Sequence, residues 1–308
     1  MKRRSFVAAL TLVLGACTSS TMTMAQSSCY PKGIPMPPTS SQTIVLVDLT
    51  TPASANAVKS LRAAVKAAAA QPGQRVVMLT FAGISGTERL TPVFDEIVQA
   101  KIEDNDLIET LPIRAFKRSQ DCVDAANKAW PAKVQAGLSE ALPRSTAPFQ
   151  RSEIIHALAE TLRNFAEPGL ATRLIVFSDG LQYGSGISFY GLDKLPRKID
   201  ADKELAKLPS TMSKPPMPVL GKVRVFWSGL LLDDRGEEPA QASKGAYFDA
   251  ETLEQLRQYW SRLLIGWGAQ DVQIERELLN PRFEAEPVAK GAERGNHAKP
   301  RVVARFGL

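Results

Sequence analysis

The stretch TIVLVDLT, residues 43–50, decides how this chain is read: five β-branched or aliphatic residues run without a break and stop at Asp48. A short continuous run of this kind, with polar residues on either side, is the pattern of a strand buried on both faces of a parallel sheet. Residues 53–70 follow with Val58, Leu61, Val65 and Ala68 at helical spacing, and they end before the breaker cluster Gln71-Pro72-Gly73. RVVMLTF, residues 75–81, then reads as a second buried strand. The chain has thereby written a β-α-β unit, whose crossover is expected to be right-handed.

The alternation continues. Ser152 is a candidate N-cap for a helix over 153–165, in which Ile154, Ile155, Leu158 and Leu162 share a face. RLIVF at 173–177 is another strand, running into Ser178-Asp179-Gly180, and KVRVFW at 222–227 is a fourth. A polar helical stretch is expected over 192–208, and Asp249 as the cap of a helix over 251–264 that carries Leu253, Leu256, Tyr259, Trp260 and Leu263. Between 83 and 118 the signal is weaker: 90–94 and 107–113 read as edge strands, with a helical turn over 96–102. Residues 121–142 read as helical with a break at Trp130-Pro131. The expected architecture is one α/β domain over 43–268, a doubly wound and mainly parallel sheet with helices on both faces.

The ends of the chain speak of export. Lys2, Arg3 and Arg4 precede an apolar stretch, residues 6–14, too short to span a bilayer, which is the organisation of a signal peptide over 1–16. Leu14-Gly15-Ala16-Cys17 resembles a bacterial lipobox, which implies lipidation of Cys17, and Thr18 rather than Asp after it favours the outer membrane by resemblance to lipoprotein sorting. Cleavage after Ala25, giving a free periplasmic protein, is the alternative. Residues 17–42, rich in Ser, Thr, Met and Pro, read as a tether. If Cys17 carries lipid, Cys29 and Cys122 remain as an even pair in an oxidising compartment, either bonded to each other or two unrelated thiols. Net charge is +6, and losing three basic residues with the signal leaves about +3, much of it in the last stretch. Residues 269–308 therefore read as a basic tail on a nearly neutral body, which argues against nucleic acid as a partner.

In an open parallel sheet, ligands sit beyond the carboxyl ends of the strands. Asp48 and Thr50 follow the first strand, Ser152 opens a helix, and Asp179 follows the strand 173–177. This order resembles the von Willebrand factor A domain, whose metal-ion-dependent adhesion site has a DxSxS turn, a later loop Thr and a final Asp. Asp48 matches the Asp of DxSxS, Thr50 its first hydroxyl, Ser152 the loop Thr and Asp179 the final Asp. The flanking pattern, including Gly245-Ala246-Tyr247-Phe248-Asp249 before the last helix, matches from about residue 43 to 264. The second hydroxyl of DxSxS falls on Pro52, which has no ligand atom. The resemblance implies Mg²⁺ or Mn²⁺ held by Asp48, Thr50, Ser152 and Asp179, hard oxygen donors suited to such an ion. It also implies an envelope protein as partner, met by the loops beside Asp179, with Gln182 and Tyr183 as contacts. If no metal binds, Asp48, Ser152 and Asp179 are expected to satisfy one another and nearby backbone.

Two other classes stand beside this one. A haloacid-dehalogenase-type phosphohydrolase would use Asp48 and a later Asp, but lacks the second Asp two residues on, where Thr50 stands. A structural lipoprotein would carry the fold as a spacer, its site inert. For catalysis in general the usual parts are missing: His156 lies inside a helix, His297 in the tail, and the chain has no GxSxG elbow and no phosphate-binding GxxxxGK[ST] loop. The expectation is a binding module rather than an enzyme.

Overall fold

A computed structural model describes residues 29–51, 55–82, 90–142, 152–184, 186–191, 196–213, 222–230 and 250–278. The elements are β1 (Ser41–Asp48), α1 (Ala55–Ala68), β2 (Gln74–Phe81), β3 (Thr91–Ile97), α2 (Asn105–Thr110), α3 (Ile113–Ala141), α4 (Ile154–Phe165) and β4 (Ala171–Phe177). They continue with β5 (Tyr183–Gly184), β6 (Ile187–Ser188), α5 (Ala201–Ala206), α6 (Ser210–Ser213), β7 (Val223–Ser228), α7 (Ala250–Gly266) and β8 (Asp271–Ile274). The main sheet has six strands in the order β3-β2-β1-β4-β7-β8. Every neighbouring pair is parallel except β2 with the edge strand β3. The strand order reverses between β1 and β4, so this is a doubly wound α/β domain with its switch point at the end of β1.

The sheet is buried on both faces, as the uninterrupted apolar runs require. Ile44 and Leu46 of β1 join the layer of α4 and α7, with Leu158, Leu162, Leu256, Tyr259 and Trp260. Val45 and Val47 point the other way, to Leu61 and Val65 of α1 and Trp130, Val134 and Leu138 of α3. Alternation along one strand thus feeds two separate cores.

Four sequence expectations are corrected. Residues 107–113 form no strand: α2 is capped by Asp104, whose carboxylate accepts from the Asp106 and Leu107 amides, and α3 begins directly after Pro112. The helix 113–141 passes through Pro131 without stopping, because Trp130, Val134, Gly137, Leu138 and Ala141 fasten that half to the sheet. Burial of five residues outweighs one lost backbone bond of about 3 kcal/mol. Residues 271–274, assigned to the tail, are the sixth strand of the sheet, in parallel register with β7. The helix over 192–208 contracts to α5, capped by Asp200.

Cys29 and Cys122 form a disulfide, with Cα atoms 5.4 Å apart. Tyr30 adds to this attachment: its hydroxyl donates to the Ala100 carbonyl at 2.6 Å and accepts from the Ala100 amide at 3.1 Å. The segment before β1 is therefore bonded to the body from residue 29, not loose to residue 42. Among the described residues, no helix is long and apolar enough to cross a membrane. The expected signal peptide, Cys17, Pro52, Asp249, His297 and residues 279–308 lie outside the described residues.

Candidate functional site

The switch point is built around one carboxylate. Asp48, the last residue of β1, is fully buried, and both of its oxygens accept hydrogen bonds. Oδ1 takes the Thr50 amide at 2.9 Å and the Thr50 hydroxyl at 2.6 Å. Oδ2 takes the Ser152 hydroxyl at 2.9 Å and the Ser178 hydroxyl at 2.8 Å. Burial pushes the Asp48 carboxyl above its ordinary range, and these bonds pull it part of the way back.

Proton counting exposes a second property of the cluster. Thr50 Oγ1 and Ser152 Oγ lie 3.1 Å apart, yet each has one hydroxyl proton and each stands in donor position to a different oxygen of Asp48. Thr50 Oγ1 can donate to Ser152 Oγ only by leaving Asp48 Oδ1 to the Thr50 amide; with both hydroxyl protons on Asp48 instead, the two hydroxyl oxygens meet lone pair to lone pair. A hard cation would resolve that contact, since Mg²⁺ ligands at about 2.0–2.1 Å in an octahedron stand roughly 3 Å from their neighbours. The residues present therefore fit such an ion. Thr50 and Ser152 would hold it, and Asp48 would supply the negative charge behind them. Among the described residues no group of three or more His, Cys, Asp or Glu side chains gathers to hold a metal, so the donor set is hydroxyl-rich and needs water to complete it.

Asp179 stands one link away. Its amide donates to the buried hydroxyl of Thr51 at 2.7 Å, and its Oδ1 accepts from the Leu181 amide at 2.8 Å. The structure thus joins Asp48, Thr50 and Ser152 directly and ties Asp179 to them through Thr51 and Ser178. Ser178 and Thr51 were not placed in the ligand set by the sequence reading. The signal for Ser178 was present: β1 and β4 are parallel with Val47 beside Phe177, so the next residue of β4 must meet Asp48.

Two indoles hold this corner from below. Trp227 Nε1 donates to the Ser178 carbonyl at 2.8 Å, and Trp260 Nε1 donates to the Gly180 carbonyl at 3.0 Å. Gly180 has φ +78°, and a Cβ there would collide with Leu230, so only glycine fits the turn. Trp260→Phe leaves that carbonyl unpaired and opens a cavity where part of a fully buried indole stood. We expect it to cost about 2–4 kcal/mol, read as a shifted denaturation midpoint at unchanged slope.

Two assigned roles change. Ser152 does not cap α4. Its hydroxyl is on Asp48, and the N-cap position is Glu153, without a side-chain cap. The capping acceptor comes instead from Gln182, whose Oε1 takes the Ile155 amide at 3.0 Å while its Nε2 donates to the Gly184 carbonyl. Gln182 is fully buried by this task, so it offers no side chain to a partner, contrary to the sequence expectation. Tyr183, by contrast, is 41% exposed and sits edge-to-face with Tyr190, ring centroids 6.4 Å apart. Tyr183 opens β5, and Tyr190 lies two residues beyond β6.

No family model matches the chain, and no curated protein matches it. Among solved structures, similarity is found to an aerotolerance-related membrane protein from Bacteroides fragilis carrying multiple mutations to serine. It is 12% identical over 77% of this chain and 93% of that one, at TM-score 0.36. BatB from Bacteroides thetaiotaomicron, a conserved hypothetical protein, is 12% identical over 77% and 91%, at TM-score 0.34. Proximal thread matrix protein 1 from the mussel byssus, with a zinc-occupied MIDAS motif, is 14% identical over 75% and 46%, at TM-score 0.29. The fold assignment rests on strand order and register: a doubly wound, mainly parallel α/β domain with its switch point at Asp48.

Proposed function

We propose that this chain is an exported envelope protein, lipid-anchored through Cys17 to the outer membrane, whose Asp48 corner binds another envelope protein. The observation that carries the reading is the buried Asp48 carboxylate ringed by Thr50, Ser152 and Ser178 at the switch point, next to the exposed Tyr183. A rigid polar centre beside aromatic contact groups is the anatomy of a recognition surface. Mg²⁺ or Mn²⁺ would assist by offsetting the buried charge and presenting an open coordination position to a partner's oxygen. Hydrolysis is the weaker reading, because a carboxylate with both oxygens already accepting hydrogen bonds and no exposure is badly placed to attack a phosphate.

Thermal unfolding of the full chain with Mg²⁺, with Mn²⁺ and with EDTA tests this. An ion at about one hundred times its dissociation constant adds roughly 2.7 kcal/mol. At roughly 2–4 °C per kcal/mol for a domain of this size, the melting temperature should rise by several degrees. Asp48→Asn and Asp179→Ala should each abolish the rise. An unchanged melting temperature in the unsubstituted chain would sink the metal-assisted contact and leave a metal-free interaction or scaffold role.

A further inference from the structure

Helix α3 does not stop where the sheet stops. Its contacts form a ladder against the chain leaving β3. Gly137 lies on Phe94, Lys133 pairs with Glu96, Asn127 donates to the Gln99 carbonyl, Lys101 pairs with Asp124, and Gln120 reaches the Ile102 carbonyl. β3 ends at Ile97. Everything N-terminal to about residue 130 of α3 therefore lies beyond the sheet. At 1.5 Å per residue, the part from residue 113 to 129 extends roughly 25 Å. Trp130 marks the level, since its indole donates to the Ala69 carbonyl just past the end of α1. That end of the domain is the pole of the strand N-termini, opposite Asp48.

Among the described residues, the tip of this projection shows an apolar cluster that is exposed or only half-buried. Helix α2 has no buried residue. Ile113 is 84% exposed, and Leu107, Ile108, Leu111 and Phe116 are only half-buried. Arg114, Lys117 and Arg118 are exposed beside them on the first turns of α3. Acidic groups are present too: Asp104 caps α2, and Glu103, Asp106 and Glu109 stand exposed near it. The N-terminal chain arrives at the same place, because Cys29 is bonded to Cys122. Eleven residues lie between Cys17 and Cys29, a reach of at most about 40 Å. From Cys122 to Ile113 is roughly 13 Å along the helix.

We propose that the α2–α3 tip is a membrane-facing foot. Leu107, Ile108, Leu111, Ile113 and Phe116 enter the headgroup region of a glycerophospholipid surface, and Arg114, Lys117 and Arg118 meet its phosphates. The domain then stands on the bilayer with the Asp48 pole directed away from it. This rests on the reading of the chain as exported and anchored at Cys17, which supplies the occupant: the anchored chain joins the body at Cys29, bonded to Cys122 on the same helix as the tip, so the tip lies beside the point where the tether departs. With four acidic groups against three basic ones at the tip, the apolar side chains rather than net charge carry the contact, and the basic groups of α3 are the ones that pair with phosphate.

The test uses the full chain reconstituted with vesicles of phosphatidylethanolamine and a minority of phosphatidylglycerol, with brominated acyl chains as quencher. Ile113→Trp places a reporter at the tip, Tyr183→Trp one at the opposite pole, and the unsubstituted chain gives the background of the native tryptophans. Fluorescence of Ile113→Trp should be quenched about twofold more than that of Tyr183→Trp. Equal quenching at both poles would overturn the foot, including the case in which a protein rather than lipid covers the tip. Intact mass tests the anchor separately: absence of a diacylglyceryl adduct overturns lipidation, and the quenching contrast still decides the foot. Arg114→Glu combined with Lys117→Glu should reduce the contrast while leaving the mass unchanged.

Discussion

Breaking the Cys29–Cys122 bond, by reduction or by Cys122→Ala, should lower the stability of this protein by about 2–4 kcal/mol. The bond closes a sequence separation of 93 residues. Loop-closure entropy for a ring of that size gives roughly 4.6 kcal/mol, of which measured cases usually deliver less. The ring encloses β1, α1, β2, β3, α2 and the start of α3, including the three strands on one side of the switch point. The effect should thus appear in cooperative unfolding of the whole domain rather than in fraying of the N-terminal segment alone. At roughly 2–4 °C per kcal/mol, the melting temperature falls by several degrees or more. Thermal or urea unfolding of the oxidised chain against the same chain in reductant measures it. A loss confined to the first residues, seen as faster proteolysis near Tyr30 with unchanged global stability, would contradict the argument. The Tyr30 bonds to Ala100 would then be the weak points that open.

The frame of the domain was legible because the four central strands, β2, β1, β4 and β7, are continuous apolar runs, and such runs have few other uses. The place where polar side chains gather could be anticipated from Asp48, directly after one of these runs, and Ser178-Asp179 after another. What the sequence concealed has physical causes. The run LIETLPI reads equally as strand or helix by content, and its outcome is decided by the Asp104 cap and by Pro112 at the entrance of α3, both weak local signals. Strand β8 is four residues long, half-exposed and polar at its start, so its pairing with β7 follows from the tertiary register and not from its composition. Gln182 was misjudged for a similar reason. Polar residues in a Gly-rich loop are expected to face water, but the α4 N-terminus has no side-chain cap of its own and draws one from 27 residues away. Asp48, Thr50 and Ser152 are marked by their places after the first strand and before a helix and by the resemblance to the adhesion-site turn, whereas the bond of Thr51 to the Asp179 amide emerges only once β1 and β4 lie side by side.

Replacing Asp48 by alanine should destabilise the metal-free protein by about 2–4 kcal/mol, with Asp48→Asn costing less than half as much. Four donors face this side chain: the Thr50 amide and the hydroxyls of Thr50, Ser152 and Ser178. Alanine orphans all of them, and an orphaned buried donor costs about 1–3 kcal/mol, partly recovered if the hydroxyls turn toward one another. Asparagine keeps one oxygen, and the Ser152 and Ser178 hydroxyls can reverse to accept from its amide. Opposing this is the charge itself. Because burial raises the Asp48 carboxyl above its unfolded value, the folded state holds the proton more tightly, so this group favours folding at low pH. Its contribution is lost as pH rises from the ordinary carboxylate range through the raised folded value. Asp48→Asn removes that titration, so the gap between the unsubstituted chain and Asp48→Asn should be widest in favour of the unsubstituted chain at acid pH and should narrow toward neutrality. Added Mg²⁺ should act in the opposite sense, stabilising the unsubstituted chain most where Asp48 is ionised and leaving Asp48→Asn unchanged. Urea unfolding of both chains across pH 4 to 8, with and without the ion, separates the two effects. If the gap were flat with pH and blind to Mg²⁺, Asp48 would be a hydrogen-bond hub only, and the corner would bind its partner without an ion.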